Sequence, residues 1–286
     1  MKEYRFGVSE FTTWPWSFER DVERYAAHGV DAIEVCEFKL NRNDYAPQLE
    51  SISGSGLEVS SVQTTVHSIF PDSLAPTPLE PTDRLAQMVS AMERIAPHVP
   101  PKTPFVVITG AAPRGDCDHV CEYAIEAFHR LADVAASFDM RVAFEPLNPI
   151  LFNTDTALWG LDNALSFIER IDRPNVGLCV DTWNIFETPD LPHVIKRCGE
   201  KIFLVQVSDW RTPRSNADRR SLGDGEIPTP QLLAALRSAG YVRPYVLEIF
   251  SSDFLPDSLW KADMDDVIDR NIGGFAAAWN AGGIPV

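Results

Sequence analysis

The sequence predicts a single closed (β/α)8 barrel over residues 1–286, and three observations carry that expectation. Short apolar, β-branched runs recur along the chain, and nearly every one is followed by an amphipathic stretch of helical length. The runs are continuously apolar, as strands of a parallel sheet are when helices cover them. Eight such strand–helix pairs fit within 286 residues, which suits a closed barrel better than an open doubly wound sheet.

In chain order, the first strand is expected at residues 5–8 (RFGV) and its helix at 18–28. The second strand, AIEVCE at 32–37, leads to a helix at 45–53, with Gly56 just past it as a left-handed cap. Strand three at 58–63 precedes a long connection and a helix at 82–96, for which Thr82 is the candidate N-cap. Strand four at 105–109 pairs with a helix at 118–138, strand five at 141–145 with 162–171, and strand six at 176–181 with 191–198. Strand seven at 202–207 is followed by a helix at 230–239, with Thr229 as cap, Pro230 in its first turn and Gly240 behind it. Strand eight at 245–249 and a helix at 263–279 complete the round. The connections that follow strands, above all 64–81 and 208–228, are long and rich in Pro, Ser or charge, whereas those leading into strands are mostly short. Long loops then crowd the C-terminal face, where barrels build their sites, and 64–81 has the length of a lid.

Composition narrows the function classes. Lys and Arg number 25 against 41 Asp and Glu, a net charge of −16. Such a surface repels phosphate backbones and anionic lipid, so neither nucleic acid nor a membrane surface is the expected partner. No run approaches the roughly 20 apolar residues of a membrane span. The opening MKEYRFGVSEF lacks an apolar stretch with a small-residue cleavage site, so a cytoplasmic location is expected. The five cysteines, Cys36, Cys117, Cys121, Cys179 and Cys198, are odd in number and scattered, which suits reduced thiols. After the first strand comes SEFTTWPW, not GxGxxG, and no GxxxxGK[ST] occurs, which disfavours nucleotide chemistry.

The informative residues end the last four strands. RVAFEP ends on Glu145 and VGLCVD on Asp181; IFLVQVSD carries Gln206 with Ser208 and Asp209 beyond it; YVLEIF carries Glu248. An acid that ends an apolar strand costs several kcal/mol unless it is paired or binds a metal. One such acid is readily explained by a salt bridge; four oxygen donors in succession would each need a partner from 25 bases already serving 41 acids. Placed at one end of a barrel they converge on its axis. Three carboxylates and an amide are hard ligands, suited to Mn²⁺, Mg²⁺ or Co²⁺ more than to structural zinc.

EPLNP at 145–149, VDTWN at 180–184, QVSDW at 206–210, DRRSLGDGEI at 218–227 and LEIFS at 247–251 together resemble the xylose isomerase-like barrels of sugar isomerases and epimerases, as does SFERDVERYAAHGVDAIEVCE near the start. The resemblance spans nearly the whole chain. It implies one divalent ion, Mn²⁺ first and Mg²⁺, Co²⁺ or Zn²⁺ after it, on Glu145, Asp181, Gln206 and Glu248. It makes Glu145 and Glu248 the acid/base pair. It also makes Arg219 of the RxxxGxG stretch a ligand of substrate oxygens, with Arg220 as the alternative register. Two positions depart from the pattern: Asn184 stands where many members carry a substrate-contacting His, and Leu151 where ketose 3-epimerases carry a further Glu.

The implied chemistry is proton transfer beside a sugar carbonyl. A carboxylate removes the proton, a divalent ion stabilises the enediolate charge, and the proton returns to the neighbouring carbon or to the opposite face. Asn184, His67, Trp183 and Asp209 are further candidates for substrate contact, Asp209 alternatively as a support for Arg219. Either Glu34 or Glu37 is expected to point into the barrel, Trp14 and Trp16 are candidate walls, and His28, His98, His119, His129 and His193 are read as solvated. The substrate that the resemblance implies is a small sugar or keto-polyol. A dehydratase acting on an inosose- or dehydroshikimate-like ketone is the alternative reaction, and a non-catalytic sugar-binding barrel the alternative role. A nuclease with a His-rich zinc centre is disfavoured by six mostly misplaced histidines and the acidic surface. Pairing of copies through the helices suits such barrels, although no exposed apolar stripe marks it.

Overall fold

The structure, a computed structural model, describes residues 3–213, 218–252 and 254–283. Eight parallel strands close into a barrel: β1 (Phe6–Ser9), β2 (Ala32–Cys36), β3 (Glu58–Ser68), β4 (Pro104–Ile108), β5 (Arg141–Phe144), β6 (Val176–Asp181), β7 (Ile202–Val207) and β8 (Tyr245–Leu247). The ring closes where Phe6 pairs with Tyr245 and Val8 with Leu247. Around it lie α1 (Phe18–Ala27), α2 (Ala46–Ser55), α3 (Pro81–Ile95), α4 (Cys117–Ser137), α5 (Leu161–Ile171), the single turn α6 (Thr182–Ile185), α7 (Leu191–Cys198), α8 (Thr229–Ser238) and α9 (Met264–Ala281).

Most of the apolar core fills the layer between strands and helices, while a smaller cluster of Val106, Ala143, Cys179, Phe203, Leu204 and Val246 stands apart from it. Side chains alternate along a strand, so residues two apart share a face. Ala143, Cys179, Leu204 and Val246 therefore predict where Glu145, Asp181, Gln206 and Glu248 point: the same way, one layer nearer the C-terminal mouth. The apolar layer is the floor on which the polar layer stands.

Differences from expectation have local causes. Thr82 does not cap α3; Pro81 already opens that helix, because its fixed φ and missing N–H suit a first turn, and Glu80 takes the cap position. Thr229 lies inside α8 in place of capping it. Strand β3 runs on to Ser68, beyond the expected 63. The connection that follows is fixed in place rather than free. Arg84, fully buried on α3, donates to the carbonyls of Ser68 (2.9 Å), Ala75 (2.8 Å) and Pro78 (3.0 Å), while Asp72 accepts the amides of Leu74 and Ala75 at 2.8 Å. Gly110 seats Phe70 against the β4 end, since a Cβ there would stand 1.9 Å from the Phe70 carbonyl oxygen.

All five cysteines are free thiols, and no helix among the described residues is long and apolar enough to cross a membrane. His119 and His193 are exposed as expected. His28 is not simply solvated: its ring meets Asp269 at 2.6 Å and Asp265 at 2.9 Å, clasping α1 to α9 across the barrel's seam. His129 bonds the Ile171 carbonyl oxygen at 2.8 Å.

Candidate active site

A cavity of about 450 Å³ opens at the C-terminal mouth, and Glu145, Glu248, Arg219, His67 and Trp183 line it. Beneath it Glu145, Asp181 and Glu248 each bring a carboxylate oxygen within 4.8 Å of the other two, and all three are buried. Glu145 and Glu248 lie one residue past β5 and β8, but their amides still bond the carbonyls of Val107 and Val207 at 3.1 Å, so the strand ladder fixes both. Asp181 is the last residue of β6 and also caps α6 through the Trp183 amide at 3.0 Å.

Among the described residues, one guanidinium serves this cluster. Arg219 reaches Glu248 at 2.7 Å and Asp181 at 2.9 Å, with its plane beside the rings of Trp183 and Phe250, each 5.1 Å away. Arg220 instead turns outward to Asp218 and Asp257, so of the two it is Arg219 that lines the cavity. Asp209 and Asn184, expected among the substrate contacts, do not line the cavity. The Asp209 carboxylate collects the amides of Trp210 (2.9 Å), Gly223 (3.1 Å), Gly225 (3.1 Å) and Ile227 (3.0 Å), and its backbone pairs with Arg220. It thereby shapes the segment that delivers Arg219, of which residues 214–217 lie outside the described residues. Gly225 permits that wrapping, because a Cβ there would stand 2.3 Å from an Asp209 carboxylate oxygen. Asn184 donates to Glu145 at 2.8 Å and to Asp181 at 2.9 Å while accepting the Asn148 amide at 3.0 Å, so it braces two carboxylates.

Gln206 is at the level of the cluster with its amide nitrogen turned inward. Nε2 donates to both Glu34 oxygens at 3.0 and 3.1 Å and to Glu248 at 2.9 Å, and the Cys179 thiol donates to Oε1 at 3.0 Å. Glu34 is the residue of the β2 pair that faces the barrel interior; it also accepts from Ser61 at 2.6 Å. Glu37 opens a 3-10 turn and bonds Tyr45 and the Thr65 amide outside the barrel. Gln63, not singled out from the sequence, donates to Glu248 at 3.3 Å; its place two residues past Ser61 on β3 is the signal that would have found it. His67 stands at the cavity wall 3.8 Å from Asp72. Trp14 is 41% exposed and stacks on Phe11, while Trp16 holds Arg20 over its ring.

The electrostatics are lopsided. Glu145, Asp181 and Glu248 are buried acids that share one buried cation among the described residues, Arg219, and Glu34 is buried beside them. Burial is the chief reason that all four carboxyls sit above their ordinary range, and repulsion from Asp181 helps push Glu145 up to about 8. A divalent cation relieves that excess directly. Three converging, desolvated carboxylates are also the hard donor set such an ion takes. The residues present therefore fit a divalent ion on Glu145, Asp181 and Glu248; Gln206 would add a fourth oxygen by turning its amide over.

A family model described as a xylose isomerase-like TIM barrel matches residues 22–270. The chain is 27% identical over 137 residues to the L-ribulose 3-epimerase of Methylomonas sp. (strain DH-1), covering 48% of this chain and 44% of that protein. It is 29% identical over 134 residues to the ketose 3-epimerase of Arthrobacter globiformis, covering 46% and 43%. The matched part is less than half the length of each of these curated relatives. Among solved structures, protein SMc04130 from Sinorhizobium meliloti 1021 superposes with a TM-score of 0.84 at 22% identity over 97% of this chain and 99% of that one. The IolI protein with a bound zinc atom gives 0.76 at 17% identity over 96% and 97%. An L-ribulose 3-epimerase gives 0.75 at 19% identity over 98% and 95%. These structural likenesses speak to the fold, and the family match covers most of the chain: this protein belongs to the xylose isomerase-like TIM barrel family.

Proposed function

We propose that the protein is a divalent-metal-dependent isomerase or epimerase of a sugar or keto-polyol, working by proton transfer beside a carbonyl. The observation that carries this reading is the buried trio of Glu145, Asp181 and Glu248 beneath a cavity that two of them line; the epimerase relatives support it. An ion on that trio, Mn²⁺ in the first instance, supplies a Lewis acid for the charge that grows on the substrate oxygens. Glu145 and Glu248 serve the substrate carbon: one takes the proton, and either it returns that proton to the neighbouring carbon or the other delivers one to the opposite face. Asn184 holds Glu145 and Asp181 in register. Arg219 neutralises part of the cluster and offers its Nε–H, buried and without a hydrogen-bond partner among the described residues, to a substrate oxygen. His67 meets a hydroxyl from the β3 side, and Trp183 helps to keep water out. The free thiols suit a reducing, cytoplasmic setting.

The test is metal content by mass spectrometry after Mn²⁺ reconstitution, beside α-proton exchange of ketoses in heavy water. About one ion per chain, lost in the Glu145→Gln/Glu248→Gln variant together with exchange, is the expected result. A folded chain that binds no ion overturns the proposal. A product absorbing in the ultraviolet as an enone would replace isomerisation with elimination.

A further inference from the structure

The cavity is larger and greasier than its ionic floor requires. At about 450 Å³ it has the size of a site for a drug-sized ligand. Its walls come from opposite sides of the barrel. Phe11, Phe250 and Trp260 stand on the β1–β8 side, with Phe11 and Phe250 in ring contact at 4.5 Å and the Trp260 indole tied to the Phe11 carbonyl oxygen at 3.0 Å. Leu147 and Leu151 stand on the β5 side, both nearly buried. At the rim Leu74 is 52% exposed. Hydroxyls of a bare sugar set against these apolar walls would lose bonds to water that only the polar groups between them, His67, Ser73, Asp155 and Ser252 among them, could replace, whereas an apolar ring would fill the space and release ordered water.

Resting on the isomerase reading for the reacting end, we infer that the substrate is a keto-polyol carrying an apolar substituent, aromatic or alicyclic. Its α-hydroxy ketone sits over Glu145 and Glu248, and its ring lies between the Phe11–Phe250–Trp260 wall and Leu147 and Leu151. Leu74 and Leu151 are then specificity residues. The site discriminates by what its walls cannot hydrogen-bond, and a free ketose is a poor fit to it.

The experiment compares matched ketohexoses and their terminal 6-O-benzyl ethers on the Mn²⁺-reconstituted full chain. Binding is read by calorimetry, and reaction separately by α-proton exchange in heavy water. The expected result is a benzyl ether bound roughly tenfold or more tightly than its parent sugar, the order of gain an added apolar group makes in an apolar pocket. Leu74→Gln, at an exposed position, and Leu151→Gln should each reduce that ratio while the chain remains folded by circular dichroism. Equal or weaker binding of the benzyl ethers overturns the inference, as does failure of both classes to bind. Preferential binding without proton exchange supports the apolar subsite and overturns the proposed reaction instead. Exchange without preference does the reverse.

Discussion

Two buried acid networks stand side by side at the mouth of this barrel, and they handle charge differently. Behind the β3–α3 connection, Asp72 is matched: Arg84 lies 3.4 Å away, Ser68 donates to it, and two backbone amides complete its shell. Burial alone would raise the Asp72 carboxyl, but His67, Ser68 and the amides hold it below its ordinary range. At the ends of β5, β6 and β8, by contrast, three acids share Arg219 with Glu34 buried beside them, and burial leaves all four carboxyls raised. Balanced burial fixes a loop. Unbalanced burial creates a demand for something positive, and that difference is why the proposed chemistry is placed on the second network.

Breaking the two networks should therefore fail in two ways. Glu248→Gln should lower turnover by about 10²- to 10⁴-fold, the usual share of an acid/base group, and reduce metal content, while thermal unfolding of the ion-free chain stays level or improves because a buried charge is gone. Equal destabilisation of the ion-free variant would show that this acid is structural. Arg84→Met should do the opposite, costing about 3–5 kcal/mol in urea unfolding by stranding Asp72, with the divalent site still loading in the fraction that folds. Asp209→Asn comes next: loss of a charged acceptor for four amides should cost about 1–3 kcal/mol and raise KM more than it lowers kcat, since Arg219 is displaced and the carboxylates are not. Steady-state kinetics with the reacting ketose would read that split.

The smallest effect lies farthest from the site. Burial lowers the His28 imidazole, but its bonds to Asp265 and Asp269 more than offset this and raise it above its ordinary value. A raised cationic group adds stability that is fully present below its unfolded value near 6.5 and fades as pH rises through the folded value. With Asp269 largely in solvent, the expected contribution is a few tenths of a kcal/mol. His28→Gln should flatten the stability–pH profile in that window and leave it unchanged at higher pH.

The barrel was legible from eight apolar runs each followed by an amphipathic stretch, and the ring of strand-end acids from strand geometry: an acid two residues past Ala143, Cys179 or Val246 has one direction to point. Other parts were not. Glu34 and Glu37 look alike in AIEVCE, and only the 3-10 turn at Glu37 separates them. The amide of Gln206 can offer either end, so composition cannot say that its nitrogen faces Glu34. The 64–81 segment has the length and Pro content of a lid, yet its anchor, Arg84, comes from the following helix. The motifs offered Asp209 either as a substrate contact or as a support for Arg219, and Asn184 as a substrate contact; the bonds of Asn184 to Glu145 and Asp181, and of Asp209 to four amides, follow from the folded backbone and are not written in the motifs.

The seam of the barrel has a consequence for how the chain acquires its shape. β1 and β8 touch only after nearly the whole polypeptide has been made, so the last sheet contact closes a loop of some 240 residues, Phe6 against Tyr245. Non-local closure of that kind slows folding, since the entropy of the loop is lost before the contact is gained. Until then the flank of β1 stands open, awaiting β8 and the α9 aromatics Phe275 and Trp279 that pack on Tyr4. A circular permutant joined near residues 3 and 283 and opened at the exposed 41–44 turn would move that late step to the β2–β3 boundary. It would keep every carboxylate in place, and its refolding rate, not its metal site, is what should change.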